Sequence, residues 1–250
     1  MITCAIVTIG DELLLGIREN AHLTYLGTQL AHHGLEPAAN LVIRDNPEDI
    51  EIFFSQAWQR SDLIITTGGL GPTTDDITRE SIAAALGEQL VFDPKIEISL
   101  KERFSQLGKP MPEINLRQCY RPGNAEVLEN PYGTAPGLLL QKEGKMLVML
   151  PGPAREMHPM FEQIVVPRLQ KQGIFPEIDC YLQIRTAGIG ESALAEKIEH
   201  LFEGKEALVV GYCAHAGMVD VRLSSLDGEI LTEEALQNLA DACRDAIGED

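Results

Sequence analysis

The chain has 250 residues, 44% of them hydrophobic, and a formal net charge of -18 at pH 7. That charge produces no long-range field that would attract a polyanion, so it argues against nonspecific binding to nucleic acid or to an anionic membrane. A phosphorylated ligand would have to be captured locally, by backbone amides, a few basic side chains or a metal. The length suits two domains, since a single hydrophobic core stops growing near about 250 to 300 residues.

The first third of the chain alternates predicted strands and helices. The predicted strands lie at residues 4–9, 40–43 and 62–66, and the predicted helices run from Asn20 to Gly34 and from Asn46 onward. The first strand is an apolar run with no basic residues before it, so we interpret it as a buried strand rather than a signal peptide. On the second helix, Ile50, Phe53, Phe54 and Ala57 are predicted to form one apolar face. The alternation implies a parallel sheet with right-handed crossovers.

The remaining sequence divides into two predicted parts. Helices at 76–86 and 94–107, a hairpin of 138–140 with 146–150, and a helix from Arg155 complete a first domain of residues 1–172. Strands at 181–186, 207–212 and 218–226, with helices at 192–202 and 232–247, form a second domain of residues 173–250. We therefore predict an α/β domain with a mostly parallel sheet, followed by a small α+β domain.

The cysteine and histidine patterns indicate neither a disulfide framework nor a zinc site. The five cysteines are scattered and never paired as CxxC, which is typical of reduced thiols in a cytosolic protein, mostly as small core residues. They are Cys4, Cys119, Cys180, Cys213 and Cys243. We interpret His22 and His200 as helix-surface residues and assign no histidine to a site. No apolar run is long enough to span a bilayer.

A glycine-rich loop, Thr66–Asp76, follows a buried strand and precedes a helix. Exposed amide groups and the helix dipole favour anions at such a position, so the loop predicts phosphate binding. Two adjacent carboxylates, Asp75 and Asp76, would repel a bare phosphate unless one of them holds a divalent cation. The structural alternative is that the glycines make a tight turn while the aspartates cap the helix.

A second acidic loop, Gly10–Glu12, also follows a predicted strand. Open α/β sheets bind ligands at the carboxyl ends of their strands, so both loops are expected to border one crevice. Taken alone, Asp11 and Glu12 are also typical of an N-cap pair.

Four motifs in order make the sequence recognisable. They are Gly10-Asp-Glu-Leu-Leu14, Thr67-Gly-Gly-Leu-Gly-Pro-Thr-Thr-Asp-Asp76, Gly133-Thr-Ala-Pro-Gly137, and Leu150-Pro-Gly-Pro153 with Glu156-Met157. Together they resemble the CinA family (competence/damage-inducible protein), whose first domain is similar to the molybdopterin-binding MoaB/MogA fold. A further segment, Arg185–Ser192, resembles the start of the KH-like domain of that family. The resemblance covers essentially the whole chain and implies a three-layer α/β domain followed by a KH-like unit.

The resemblance also implies an activity. For this region of the family it is metal-dependent hydrolysis of ADP-ribose to AMP and ribose 5-phosphate, with Mg, Mn or Co as the metal and potassium as a further candidate ion. The family resemblance implies a homodimer, and we expect it to be cytoplasmic. Related MogA-type domains adenylylate molybdopterin instead, and a third alternative is a noncatalytic nucleotide-binding dimer module. Many CinA proteins carry a further deamidase domain for nicotinamide mononucleotide, which nothing in these residues matches, so we expect no deamidase activity from this chain.

Site residues follow from the matched motifs. The diphosphate would be held by Gly68, Gly69, Gly71, Thr73 and Thr74, while Asp75 and Asp76 would bind metal or activate water. The acidic rim would be completed by Asp11 and Glu12, with Glu12 also a catalytic candidate, and Asn20 would contact the ligand. The same cleft would be lined by Gly133, Thr134, Pro136, Pro151, Gly152, Pro153 and Glu156. For the loops at residues 133–136 and 151–156, the alternative is that Pro and Gly only shape turns and make no ligand contact.

The KH-like unit is not expected to bind nucleic acid. A nucleic-acid KH domain needs a GxxG loop that clamps the backbone, but here Gly188–Glu191 carries an acid. Residues 174–250 also contain five Lys or Arg against sixteen Asp or Glu.

Overall fold

The computed structural model describes residues 2–177, 179–225 and 231–248. The chain divides into two compact units. The large unit comprises residues 2–26 and 37–171, and the small unit comprises residues 27–36 with the described part of 172–248. In the part of the chain that is described, no helix is both long enough and apolar enough to cross a membrane.

Eight strands form two sheets in the large unit. They are β1 (Cys4–Ile9), β2 (Pro37–Ile43), β3 (Leu63–Thr67), β4 (Leu90–Phe92), β5 (Tyr120–Pro122), β6 (Glu126–Leu128), β7 (Gly137–Lys142) and β8 (Lys145–Leu150). The main sheet has the order β2-β1-β3-β8-β7-β6, in which β2, β1, β3 and β8 run parallel and β7 and β6 antiparallel. The predicted mostly parallel sheet is confirmed. Every residue of β1 and β3 is buried, as expected for strands covered on both faces.

Seven helices precede residue 172. They are α1 (Asp11–Leu14), α2 (Ala21–His32), α3 (Pro47–Arg60), α4 (Thr78–Ala85), α5 (Pro94–Gln106), α6 (Ala154–Met160) and α7 (Val166–Lys171), with a 3-10 helix at Glu113–Cys119 and a π-helix at Phe161–Val165. Helix α3 begins where the Asn46 side chain accepts hydrogen bonds from the next two free backbone N–H groups. Its buried stripe contains Ile50, Phe54 and Ala57 but continues to Trp58, whereas Phe53 is 41% exposed. The placement of Phe53 on the buried face was wrong, since its position lies at the edge of a stripe centred between Phe54 and Ala57.

The sequence prediction missed the short elements. The strands β4, β5 and β6 have three residues each, too few for a detectable period, and the 3-10 helix has no amphipathic signature. Helix α4 begins at Thr78 rather than at the predicted Asp76. Residues 75 and 76 therefore belong to the glycine-rich loop and not to the helix.

The small unit contains an antiparallel sheet packed on two helices. Its elements are β9 (Tyr181–Ala187), α8 (Glu191–Ile198), a 3-10 helix (Glu199–Phe202), β10 (Leu208–His215), β11 (Met218–Ser225) and α9 (Glu233–Ile247). The strand order is β10-β11-β9. Apolar residues of alternate β11 positions, Val219, Val221 and Leu223, share a buried core with Leu194 and Leu236 of the helices. The predicted α+β arrangement is confirmed, while Leu226, the predicted end of the last strand, lies outside the described residues.

Four of the five cysteines, Cys4, Cys119, Cys180 and Cys243, are buried, and Cys213 is exposed. The expectation that most of them are small core residues is confirmed. Burial raises the pKa of Cys4 to about 12, which makes its thiol a poor nucleophile.

Candidate functional site

The carboxyl ends of β1, β3 and β8 open into a cleft of about 550 Å³ in the large unit. Parallel strands bring these ends to one edge of the sheet, as open α/β sheets require for a ligand site. The predicted site residues on its wall are Glu12, Gly68, Gly69, Gly71, Asp75, Asp76, Thr134, Pro151, Gly152, Pro153 and Glu156. The two loops predicted to border one crevice therefore do so.

The backbone conformation and packing of the loop require glycine at two positions. Gly68 and Gly69 have φ angles of 98° and 66°, in the left-handed region that favours glycine. A Cβ atom on Gly68 would lie 2.2 Å from the Ile9 carbonyl oxygen, and one on Gly69 would lie 2.0 Å from Thr78 Oγ1. These glycines pack β3 against β1 and α4, so the tight-turn interpretation explains them without a ligand.

Asp76 organises the loop. One of its carboxylate oxygens accepts hydrogen bonds from the backbone N–H of Thr73, at 2.9 Å, and from the Thr73 hydroxyl. A Cβ atom on Gly71 would lie 2.3 Å from the same oxygen. The pKa of Asp75 is lowered, mainly by the Thr73 side chain and then by the backbone N–H of Asp75 itself. Asp75 therefore remains ionised in neutral solution and lines the cleft, whereas Thr73 and Thr74 lie outside its wall.

Arg117, on the 3-10 helix, clamps this loop from behind. Its guanidinium donates hydrogen bonds to the carbonyl oxygens of Pro72, Thr73 and Asp76, and it forms an ion pair with Glu80 at 3.5 Å. A planar group with five N–H donors suits this task, because it reaches several carbonyls at once. Sequence spacing did not indicate Arg117, because this residue lies about 40 positions along the chain from the loop.

Further carboxylates lie close to one another around Asp45, which also lines the cleft. The carboxylate of Asp45 accepts a hydrogen bond from the backbone N–H of Asp11 at 3.0 Å. Burial is the main reason that the pKa of Asp45 is raised, and the negative charges of Asp11, Glu12 and Asp75 raise it further. Among the residues that the structure describes, no three His, Cys, Asp or Glu side chains form a metal-binding group by themselves.

His22 faces the cleft, and its interpretation as a helix-surface residue was wrong. It lines the cleft wall at the first turn of α2, and its Nδ1 atom lies 2.8 Å from Thr67 Oγ1. Burial is the main reason that the pKa of His22 is lowered, and a hydrogen bond with the Gly152 carbonyl partly offsets this. The imidazole is thus neutral at pH 7 and connects the ends of β3 and β8. Its position just after the first strand and loop was the signal that could have identified it.

Glu156 closes the cleft on the β8 side. Only 6% of this residue is exposed, and its carboxylate accepts a hydrogen bond from Asn130 Nδ2 at 2.8 Å. A Cβ atom on Gly133 would lie 1.8 Å from this carboxylate, so the glycine is required for the contact. Gly133 itself, like Pro136, lines neighbouring cavities rather than the cleft.

Asn20 and Asp11 also lie outside the cleft wall in the described structure. The amide of Asn20 donates to Thr8 Oγ1 at 3.3 Å and accepts from the backbone N–H of Leu23, so it fixes the start of α2. The backbone N–H of Asp11 donates to the Asp45 carboxylate.

Family models match nearly all of the chain. Residues 5–171 match a probable molybdopterin binding domain, and residues 183–250 match the damage-inducible protein CinA KH domain. The chain belongs to the CinA family. The predicted family and the predicted MoaB/MogA-like and KH-like folds are thereby confirmed.

Individual relatives agree with this assignment. A putative competence-damage inducible protein of Caldicellulosiruptor bescii is 38% identical over 98% of this chain and 59% of its own length. A CinA-like protein of Kosmotoga olearia has the same identity and coverage. The chain thus spans 59% of the length of each of these two relatives. The crystal structure of a CinA protein from Thermoplasma acidophilum aligns with a TM-score of 0.62 and 31% identity, over 69% of this chain and 99% of that one.

Proposed function

We propose that this CinA-family chain catalyses metal-dependent hydrolysis of ADP-ribose to AMP and ribose 5-phosphate in the cleft. The charge of the cleft wall is the observation that supports the proposal. Six carboxylate residues line the cleft together with the glycine-rich loop, and Arg18 is the cation on the same wall; the six are Glu12, Glu19, Asp45, Asp75, Asp76 and Glu156. The negative charge of this wall would repel a diphosphate unless a divalent cation neutralised both the carboxylates and the phosphates.

The donor set suits a hard cation such as Mg, Mn or Co. Asp75 is ionised and lines the cleft, and Glu12 and Asp45 line it as well. Magnesium is usually held by one or two carboxylates plus substrate phosphates, so a group of three protein ligands is not needed. The bound metal would supply charge neutralisation at the phosphate oxygens. Because Asp76 is engaged by Thr73, we assign the metal to Asp75 first and give Asp76 the role of holding the loop.

The remaining chemistry belongs to the chain. Backbone amides of the glycine-rich loop would orient one phosphate at the start of α4, and Glu12 would position the attacking water. The water oxygen forms a bond to one phosphorus while the bridging P–O bond breaks, so each product leaves with one phosphate. Positioning and charge neutralisation account for most of the catalysis in such reactions.

The direct test is ADP-ribose turnover by the full chain, followed by chromatography with Mg, Mn or Co, with and without potassium. We expect AMP and ribose 5-phosphate in equal amounts, and a loss of about 100-fold or more in Asp75→Asn. The matched control is Asp62→Asn, because Asp62 also accepts a backbone N–H, from Thr3, but lies at the opposite end of β3. Full activity of Asp75→Asn would overturn the metal assignment. Absence of turnover by the wild-type chain with every metal would overturn the hydrolase proposal.

A second candidate is binding or adenylylation of a molybdopterin. The match of residues 5–171 to a probable molybdopterin binding domain favours it. It predicts AMP transfer from ATP to the pterin and complementation of a strain that lacks the adenylyltransferase. Tight nucleotide binding without either reaction would instead indicate a noncatalytic module.

A further inference from the structure

A second depression adjoins the cleft and shares part of its wall. This groove, of about 440 Å³, is lined by Arg103, Leu107, Tyr132, Thr134, Arg155 and Glu156. Thr134 and Glu156 also line the cleft. A ligand whose phosphates lie in the cleft can therefore extend over Thr134 into the groove.

Tyr132 is held in place at this groove by its own loop. Asn130 Oδ1 accepts the backbone N–H of Tyr132 at 3.0 Å, and Asn130 Nδ2 donates both to the Ala135 carbonyl and to Glu156. The Tyr132 hydroxyl donates to Gln163 Oε1 at 3.4 Å. The loop thus holds the backbone of Tyr132, and Gln163 gives its hydroxyl a partner, which lowers the cost of ordering the side chain on ligand binding.

The groove differs from the cleft in chemistry. Tyr132 is 43% exposed and Leu107 58% exposed, so an aromatic ring and an aliphatic side chain face solvent together. Its cations are Arg103 and Arg155, and its acid, Glu156, is buried, hydrogen-bonded to Asn130 and 3.8 Å from Arg155 Nε. Aromatic faces and guanidinium planes are the groups on which nucleic-acid bases stack.

We propose that this groove binds the nucleobase of a nucleotide diphosphate, with the base stacked on Tyr132. The proposal rests on the proposed function, because it takes the phosphates to lie in the cleft. It fixes the direction of the substrate: the adenylate half points towards Tyr132 and the ribose 5-phosphate half towards Glu12 and Asp45.

The test compares the two products, which each carry one phosphate, although only AMP carries a base. Binding of AMP and of ribose 5-phosphate to the full chain would be measured by calorimetry in magnesium buffer. We expect Tyr132→Ala to weaken AMP binding about tenfold and to leave ribose 5-phosphate binding unchanged, since stacking is lost and phosphate contacts are kept. Tyr132→Phe should retain most of the AMP affinity. The control is Tyr120→Ala, because Tyr120 is 42% exposed in the same unit but packs against Phe92 instead.

Each outcome decides between the two proposals. Three outcomes would overturn the proposal that the groove binds the base. They are unchanged AMP binding in Tyr132→Ala, an equal loss of binding for both ligands, and no AMP binding by the wild-type chain. If the base-dependent loss occurs while the wild-type chain hydrolyses no ADP-ribose, the groove stands and the hydrolase proposal fails. Turnover with unchanged KM for ADP-ribose in Tyr132→Ala would leave the hydrolase and overturn the groove.

Discussion

Asp220 of the small unit and Asp45 of the large unit are carboxylates in opposite surroundings. Asp220 is 3% exposed and accepts hydrogen bonds from Arg185 and Gln183, and His215 Nε2 lies 3.1 Å away. The Arg185 hydrogen bond is the main reason that the pKa of Asp220 is lowered. Asp45 accepts one backbone N–H and lies near three other carboxylates, and its pKa is raised, chiefly by burial.

This difference separates a structural charge from one that is available to a ligand. Around Asp220 the chain itself supplies a compensating cation, Arg185, and a hydrogen bond from Gln183, so nothing further is needed for a stable fold. Around Asp45 the repulsion is left in place, and a bound cation would remove it. Charges that are uncompensated within a cleft are typical of functional sites, where local stability is given up for binding.

The largest expected effect is on the clamp that holds the loop facing Asp45. Arg117→Ala removes the hydrogen bonds to the carbonyls of Pro72, Thr73 and Asp76. We expect kcat/KM for ADP-ribose to fall about 100-fold, because a displacement of about 1 Å in a positioned group has a cost of that size. Arg117→Lys should recover little, since an ammonium cannot reach three carbonyls from one plane.

The control for this variant is another arginine that clamps backbone. Arg121 pairs with Asp93 and donates to the carbonyls of Pro122, Gly123 and Ala125, away from the cleft. Arg121→Ala should lower Tm without lowering turnover per folded molecule. Equal losses of turnover in the two variants would show that Arg117 acts through general stability and not through the loop.

Two smaller effects are expected for Asp45→Asn, a higher Tm and a lower metal affinity. The amide can still accept the Asp11 N–H, but the charge is gone. The folded pKa of Asp45 is raised above 3.8, so its ionised form opposes folding at pH 7. This penalty fades as the pH falls through the folded pKa and is absent below 3.8. We expect Tm in metal-free buffer to rise by about 2 °C at pH 7 and metal affinity to fall about tenfold. Asp62→Asn should change neither, and a fall in Tm for Asp45→Asn would contradict the account of Asp45 as a repelled charge.

The sequence predicted the parts of the site that lie next to long, regular elements. The loops after β1, β3 and β8 follow apolar strands, so their meeting at one sheet edge could be expected. It did not predict Arg117, Asp45 or Tyr132, because each is placed by tertiary packing rather than by spacing within one element. Asp76 was identified in the right loop, but its bond to Thr73 depends on a backbone conformation that the sequence alone does not show.

Asp220→Asn is expected to have the smallest effect on the site and a clear effect on the small unit. Its folded pKa is lowered, so the carboxylate stabilises the fold fully above 3.8, and this contribution is lost as the pH falls below 3.8. The variant should therefore unfold at lower urea than wild type at pH 7, and the two should converge at acidic pH. Because the single tryptophan, Trp58, lies in the large unit, the change should appear in circular dichroism and not in tryptophan fluorescence. If Asp220→Asn reduced metal affinity as strongly as Asp45→Asn, the distinction between a compensated and an uncompensated carboxylate would not hold.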